Sequence, residues 1–514
     1  MIVMPGFVDS HTHMWSTLGR NFTSDGGFSY YPAKWATAAV FTPDDFYNSL
    51  MLGFAELANG GVTTVHNWSH NNPSPDHADA ELRAHQHSLM RGRYSLGHVD
   101  RMPPDVVNRY EDLDRIEREW FAGGGRFDGL VHLGVNLRGI VQSEARVFHE
   151  EMAFVMRRRL PVCIHATQTK PNLDDAADYE RRGYLSPSFM FSYYLDASDS
   201  DRAAMARTGA SLTFSPHSEF RFGEHGDPRV SLMKARAAGV LVTLSSDATS
   251  IAPPNVFELM RFAWNMCIPW KQTDTETLPP LGFAEAIELA TINGAKALGL
   301  GGVAGSLTPG KRADVILVRT DEINIAPLAN IETTIVQGGS PANVDTVLVD
   351  GRILKRHGKL VHLDIPAIVE QAERSALRIR TAAGGALKPV SDAPPAPIAS
   401  GPLAQRLRQQ RFADHRKRTS RFSHEAPAAL TFRRCRQAMR SFYPSVRKPD
   451  GKLRRQRIAY GGSIPPIAVR KRLNMTRFRN SPRAASNSSI RGIGRPLLWP
   501  LRYASIKAST LPSL

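Results

Sequence analysis

Four side chains, drawn from three widely separated stretches of the chain, have the types and local settings of a metal site. His11-Thr12-His13 ends the apolar stretch Phe7-Val8-Asp9. Strand alternation aims both imidazoles the same way, although a bare His-x-His is more often a pair of solvated loop histidines. Pro161-Val162-Cys163-Ile164-His165 is a second apolar strand ending in histidine, and Leu241-Val242-Thr243-Leu244-Ser245-Ser246-Asp247 is a third ending in aspartate. Alone, His165 reads as a core histidine and Asp247 as a helix N-cap. Together, three imidazoles and one carboxylate suit one divalent ion, Zn²⁺ or Fe²⁺, with a position left for water. The chemistry would be hydrolysis by an activated water.

With these residues the chain resembles the amidohydrolase superfamily, in particular its mononuclear cytosine-deaminase and triazine-hydrolase-like branch. The resemblance rests on Met4-Pro5-Gly6-Phe7-Val8-Asp9-Ser10-His11-Thr12-His13, the strand ending at His165, and Ser245-Ser246-Asp247. It extends to Ala290-Thr291-Ile292-Asn293-Gly294-Ala295 and to Gly305-Ser306-Leu307-Thr308-Pro309-Gly310-Lys311-Arg312-Ala313-Asp314. It implies metal-ligand roles for His11, His13, His165 and Asp247, and the catalytic base role for Asp247. Two-metal members carry a bridging lysine on the fourth strand; Leu130–Asn136 contains none, so one ion is expected.

The chain departs from the family pattern in three places. His165-Ala166-Thr167-Gln168 has glutamine where deaminases of the branch place a proton-shuttling glutamate. The sixth-strand histidine is replaced within Phe191-Ser192-Tyr193-Tyr194-Leu195. Tyr193 is the candidate substitute, and His217 with Glu219 offers another acid–base pair; packed tyrosine and solvated histidine are the plain alternatives. Finally, family members start with strands of a small β-sandwich, whereas here the first barrel strand comes almost at once. This predicts a truncated or mis-started form, with strands around 312–352 left with unpaired edges.

The elements that would hold these residues alternate short apolar runs with amphipathic segments. Thr42-Pro43-Asp44-Asp45 offers an N-cap and a first-turn proline, and Phe46, Leu50, Phe54 and Leu57 follow at helical spacing. Strands are expected at Phe7–His11, Val62–Val65, Tyr94–Val99, Leu130–Asn136, Pro161–His165, Phe189–Tyr194, Ala210–Phe214 and Val240–Ser245. Helices are expected at Ala145–Arg158, Ser200–Arg207, Arg229–Ala238 and Phe283–Leu300. Periodicity alone also fits a doubly wound open sheet; residues at strand ends favour the α/β TIM barrel. The expected organisation is a barrel over 1–303, an incomplete β-sandwich remnant over 304–362, a helix and Pro-rich linker over 363–402, and an Arg-rich disordered tail over 403–514. Met14–Thr42, with Trp15, Phe22, Phe28, Tyr30 and Tyr31, is placed to lid a flat substrate; Trp15, Gln168 and His217 are the substrate-binding candidates.

The net charge of +17 is not spread evenly. From residue 386 onward 28 Lys and Arg face 4 Asp and Glu, leaving the remainder at −7. Arg406, Arg408, Arg433, Arg434, Arg454 and Arg455 could mark a nucleic-acid-binding tail, but no recognition motif accompanies them, and disorder is the preferred reading. No apolar run reaches membrane-spanning length, and the start lacks the features of a secretory signal. The three cysteines, Cys163, Cys267 and Cys435, lie far apart, which favours a reducing cytoplasm over a disulfide framework. The expected partner is a small molecule rather than a membrane or nucleic acid, with a homo-oligomer left open. The expected activity is hydrolysis of a non-peptide carbon–nitrogen bond in a small cyclic compound. The alternatives are a metal-binding but catalytically impaired relative and nucleic-acid binding through the tail.

Overall fold

A computed structural model of the chain describes residues 1–22, 30–108, 110–166, 175–223, 226–273 and 275–384. Gln168, Phe28, the Pro-rich segment, Cys435 and the basic tail lie outside them. The first short strand, β1 (Ile2–Pro5), leads into eight parallel strands. These are β2 (Phe7–Thr12), β3 (Val62–Ser69), β4 (Arg91–Leu96), β5 (Val131–Leu137), β6 (Val162–His165), β7 (Phe189–Ser192), β8 (Ser211–Phe214) and β9 (Leu241–Leu244). They pair in sequence order. The ring closes where Thr12 bridges to Asp247: the His13 amide donates to the Asp247 carbonyl at 2.8 Å and the Asp247 amide to the His11 carbonyl at 3.0 Å. The expected TIM barrel is therefore present, and its seam lies at two of the candidate ligands.

Local chemistry explains the elements. The helix Pro43–Asn59 starts at Thr42, whose hydroxyl accepts from the Asp45 amide while the Asp45 carboxylate accepts from the Thr42 amide at 2.7 Å. Its buried face carries Phe46, Leu50, Phe54 and Leu57. Gly6 is required between β1 and β2, because a Cβ there would lie 2.1 Å from the Thr63 side chain on β3. The barrel interior is partly polar: Ser10 Oγ meets Thr213 Oγ1 at 2.6 Å, and Thr213 donates to Ser245 at 2.8 Å.

The structure corrects three expectations. The third barrel strand is Arg91–Leu96, not Tyr94–Val99. Its start was obscured by charge, because Arg91 is buried against Asp314, with Nε 2.6 Å from the carboxylate. The expected single helix Phe283–Leu300 is two, Phe283–Leu289 and Ile292–Ala297. Thr291 breaks it with non-helical φ −134° and ψ −94° while its hydroxyl bonds the Ile287 carbonyl at 2.6 Å.

Third, the strands after the barrel are not left open. β10 (Val315–Val318) pairs antiparallel with β1 on one side and β11 (Val344–Val349) on the other; β12 (Arg352–Arg356) and β13 (Lys359–Leu360) complete a five-stranded sheet. Four residues at the start of the chain were too short a run to read as a strand. Ile2, Met4, Ile316, Val344, Val347 and Leu354 from this sheet join the barrel core. The helix Ile365–Ala382 packs on Pro43–Asn59. Among the described residues no helix is long and apolar enough to cross a membrane.

Candidate metal centre

His11 lies on β2, His13 one residue past it, His165 ends β6 and Asp247 follows β9 by three residues. All four are buried. Their donor atoms converge: His11 Nε2 is 3.3 Å from His165 Nε2 and 3.6 Å from Asp247 Oδ1, and His13 Nε2 is 3.1 Å from Asp247 Oδ1. Asp247 reaches inward because its backbone is left-handed, with φ +60°. That conformation disfavours most side chains but is comparatively accessible to aspartate.

Electrostatics keep the donors in ligating form. Burial alone would raise the Asp247 carboxyl, but the His11 and His13 rings beside it hold it well below the usual carboxylate range. Burial pushes His13 down to about 3, and burial with the neighbouring imidazoles pushes His165 well below its ordinary value, so both rings are neutral near pH 7. Lone pairs facing one another at these distances repel unless a cation or proton lies between them. Tetrahedral ligands with bonds of about 2.0–2.1 Å are roughly 3.3 Å apart, so the set fits a zinc-sized ion. His11, His66 and Cys163 also lie close together. However, His66 is committed to the Ser10 carbonyl at 2.8 Å and the Ser95 hydroxyl at 2.9 Å.

The remaining sequence candidates separate. Tyr193 follows β7 with φ +64°, and its ring lies 5.0 Å from His165 and 5.7 Å from His11, centroid to centroid. Burial and the nearby Asp247 charge push its phenol well above its ordinary value. His217 instead faces Glu258 at 3.2 Å and packs on Phe262. Glu219 is buried, accepting from the Ser215 amide at 2.9 Å, so these two residues do not form a pair. Trp15 is buried against Phe46 and donates to His70 Nδ1 at 3.0 Å.

A cavity of about 270 Å³ opens over His13, His165 and Asp247. Trp68, Tyr30, Tyr31 and Trp35 supply aromatic walls, and Lys34, His70, His98, Asp100, Arg138 and Gln142 supply polar ones. None of these polar residues was a sequence candidate. The available signal was position: His70 follows β3, His98 lies two residues past β4, and Arg138 follows β5, all at strand C-termini where barrel sites form.

Comparison with known proteins gives a consistent set. The model of the Amidohydrolase family matches residues 2–354. A 5-methylthioadenosine/S-adenosylhomocysteine deaminase of Desulforudis audaxviator is 28% identical, covering 74% of this chain and 87% of that protein. A 5'-deoxyadenosine deaminase of Methanothermobacter thermautotrophicus is 25% identical, covering 74% and 87%. Among solved structures, a zinc-bound adenosine deaminase from Xanthomonas campestris aligns with TM-score 0.63 and 21% identity, covering 74% of this chain and 86% of that one. A zinc complex of atrazine chlorohydrolase from Arthrobacter aurescens aligns with TM-score 0.62 and 17% identity, covering 73% and 88%.

Proposed function

We propose, from the premise that this chain belongs to the amidohydrolase family, that it is a mononuclear metal-dependent hydrolase. Its substrate would be a small cyclic nitrogen compound, from which it removes an amine. The observation that carries this reading is the convergence of three imidazoles and one carboxylate at separations of 3.1–3.6 Å beneath an aromatic-walled cavity.

His11, His13, His165 and Asp247 would hold the ion, and the three-nitrogen, one-oxygen set favours zinc over the other candidate, Fe²⁺. When bound, such an ion makes hydroxide available near neutral pH by lowering the pKa of water toward about 7. Asp247 accepts the proton from the attacking water and returns it to the leaving amine. Its depressed pKa keeps it ionised. Tyr193 donates a hydrogen bond to the oxygen or ring nitrogen on which negative charge develops. Trp68, Tyr30, Tyr31 and Trp35 bind a flat ring by its faces and keep bulk water out. The buried free thiols of Cys163 and Cys267 fit a reducing compartment, and we assign the enzyme to the cytoplasm.

The deaminase names of the relatives direct the first assays to 6-aminopurine nucleosides, followed by aminopyrimidines and aminotriazines. Ammonia release by zinc-loaded protein, lost on chelation and restored by zinc, is the expected result. Full metal occupancy with no carbon–nitrogen cleavage across the panel would overturn the assignment in favour of a metal-binding, catalytically impaired relative.

A further inference from the structure

Behind the proposed ligand His13 lies a chain of polar contacts that fixes where protons sit. Trp15 Nε1 is 3.0 Å and His13 Nδ1 is 3.2 Å from the same atom, His70 Nδ1. An indole N–H can only donate, so His70 Nδ1 carries no proton and accepts. The Trp68 carbonyl, 3.5 Å from that nitrogen, can only accept and is the most distant of the three neighbours. The proton of neutral His70 is therefore on Nε2, which faces Asp100 Oδ1 at 3.5 Å. Lys34 Nζ anchors that same carboxylate oxygen at 2.9 Å.

The assignment propagates to His13. Since His70 Nδ1 offers only a lone pair, the proton of the His13–His70 bond must come from His13 Nδ1. His13 Nε2, the atom that faces Asp247 at 3.1 Å, is then left with its lone pair free. We propose that His70 is a positioning residue that, held by Trp15, Asp100 and Lys34, locks His13 in the tautomer and orientation that bind the metal. The inference rests on the metal-centre reading above. It differs from the commoner arrangement, in which a carboxylate or carbonyl takes the outer N–H of a ligating histidine: here the acceptor is another imidazole, itself set by an indole.

The test is Zn²⁺ affinity of the full chain, measured by competition with a chromophoric chelator, with apo-protein melting followed in parallel. His70→Ala is expected to weaken Zn²⁺ binding by about 10–100-fold. His70→Asn, whose side-chain oxygen can occupy the Nδ1 position and accept from both donors, is expected to recover most of that loss. A purely structural role would not distinguish the two variants in affinity once both fold. Wild-type affinity in His70→Ala, or a folded His70→Asn no tighter than His70→Ala, overturns the proposal. Should His70→Ala fail to fold, Asp100→Ala takes its place: removing the acceptor of the Nε2 proton should weaken Zn²⁺ binding, and unchanged affinity counts against the relay. A wild-type chain that takes up no Zn²⁺ overturns the metal-centre reading itself, an outcome distinct from unchanged variants of a zinc-binding wild type.

Discussion

The indole of Trp68 lies flat on the imidazole of His165, with ring centroids 3.9 Å apart and planes 12° from parallel. The stack restrains a proposed ligand that its own strand fixes only at the backbone. Trp68 is fully buried, so Trp68→Ala should cost about 3–5 kcal/mol of stability. It should also leave His165 free to rotate, lowering zinc content at limiting metal. Trp68→Phe should retain most of both. Wild-type melting and zinc content in the alanine variant would show the stack to be idle.

Asp247→Asn keeps an oxygen donor but removes the proposed base. Turnover should fall by at least about 10²–10⁴-fold, with partial zinc occupancy retained. Metal analysis beside single-turnover ammonia release checks this, and an active variant would remove Asp247 from proton transfer.

Tyr193 and His217 should behave differently. Tyr193→Phe removes a buried donor beside the proposed ligands and should lower kcat by about 10²-fold with a smaller change in KM. His217 faces Glu258 and Phe262, so His217→Ala should leave kcat/KM within a few-fold. The opposite ranking in steady-state kinetics would reverse these roles.

Glu81 predicts a pH dependence away from the metal centre. Burial raises its pKa from 4.5 to about 8, against opposing hydrogen bonds led by Ser69. Between those values the folded state holds a proton that the unfolded state has released, so stability falls as pH rises from about 4.5 to 8. Glu81→Gln should flatten this slope, its advantage over wild type growing toward pH 8. Urea denaturation at pH 5, 6.5 and 8 measures it, and parallel curves would refute the assignment.

Zinc held at the proposed centre should stabilise the folded chain. At a free concentration 100 times Kd the gain is about 2.7 kcal/mol. Differential scanning calorimetry with and without chelator should show the corresponding rise in Tm; an unchanged Tm would argue against a folded-state zinc site.

Much of this protein is written in local pattern. Alternation of apolar residues located seven of the barrel strands closely and the third displaced by about three residues, at Arg91–Leu96, where buried Arg91 and Arg93 concealed an interior strand. The histidines and aspartate at strand ends were visible for the same reason, because a strand's direction and its terminal residue are both local properties. Polar residues in short connections were not: His70, His98, Asp100 and Lys34 acquire meaning only when separate strand ends and a helix meet around one cavity. Tyr193 and His217 had similar standing in sequence, yet a left-handed backbone at Tyr193 and a turn into the helix Pro216–Phe222 send their rings to different places. The sequence by itself determined the succession of strands and helices and marked the proposed ligands at strand ends, since backbone periodicity and side-chain chemistry operate residue by residue. Only the tertiary structure decided which further side chains face the metal centre, because that depends on backbone dihedrals and on packing between segments hundreds of residues apart.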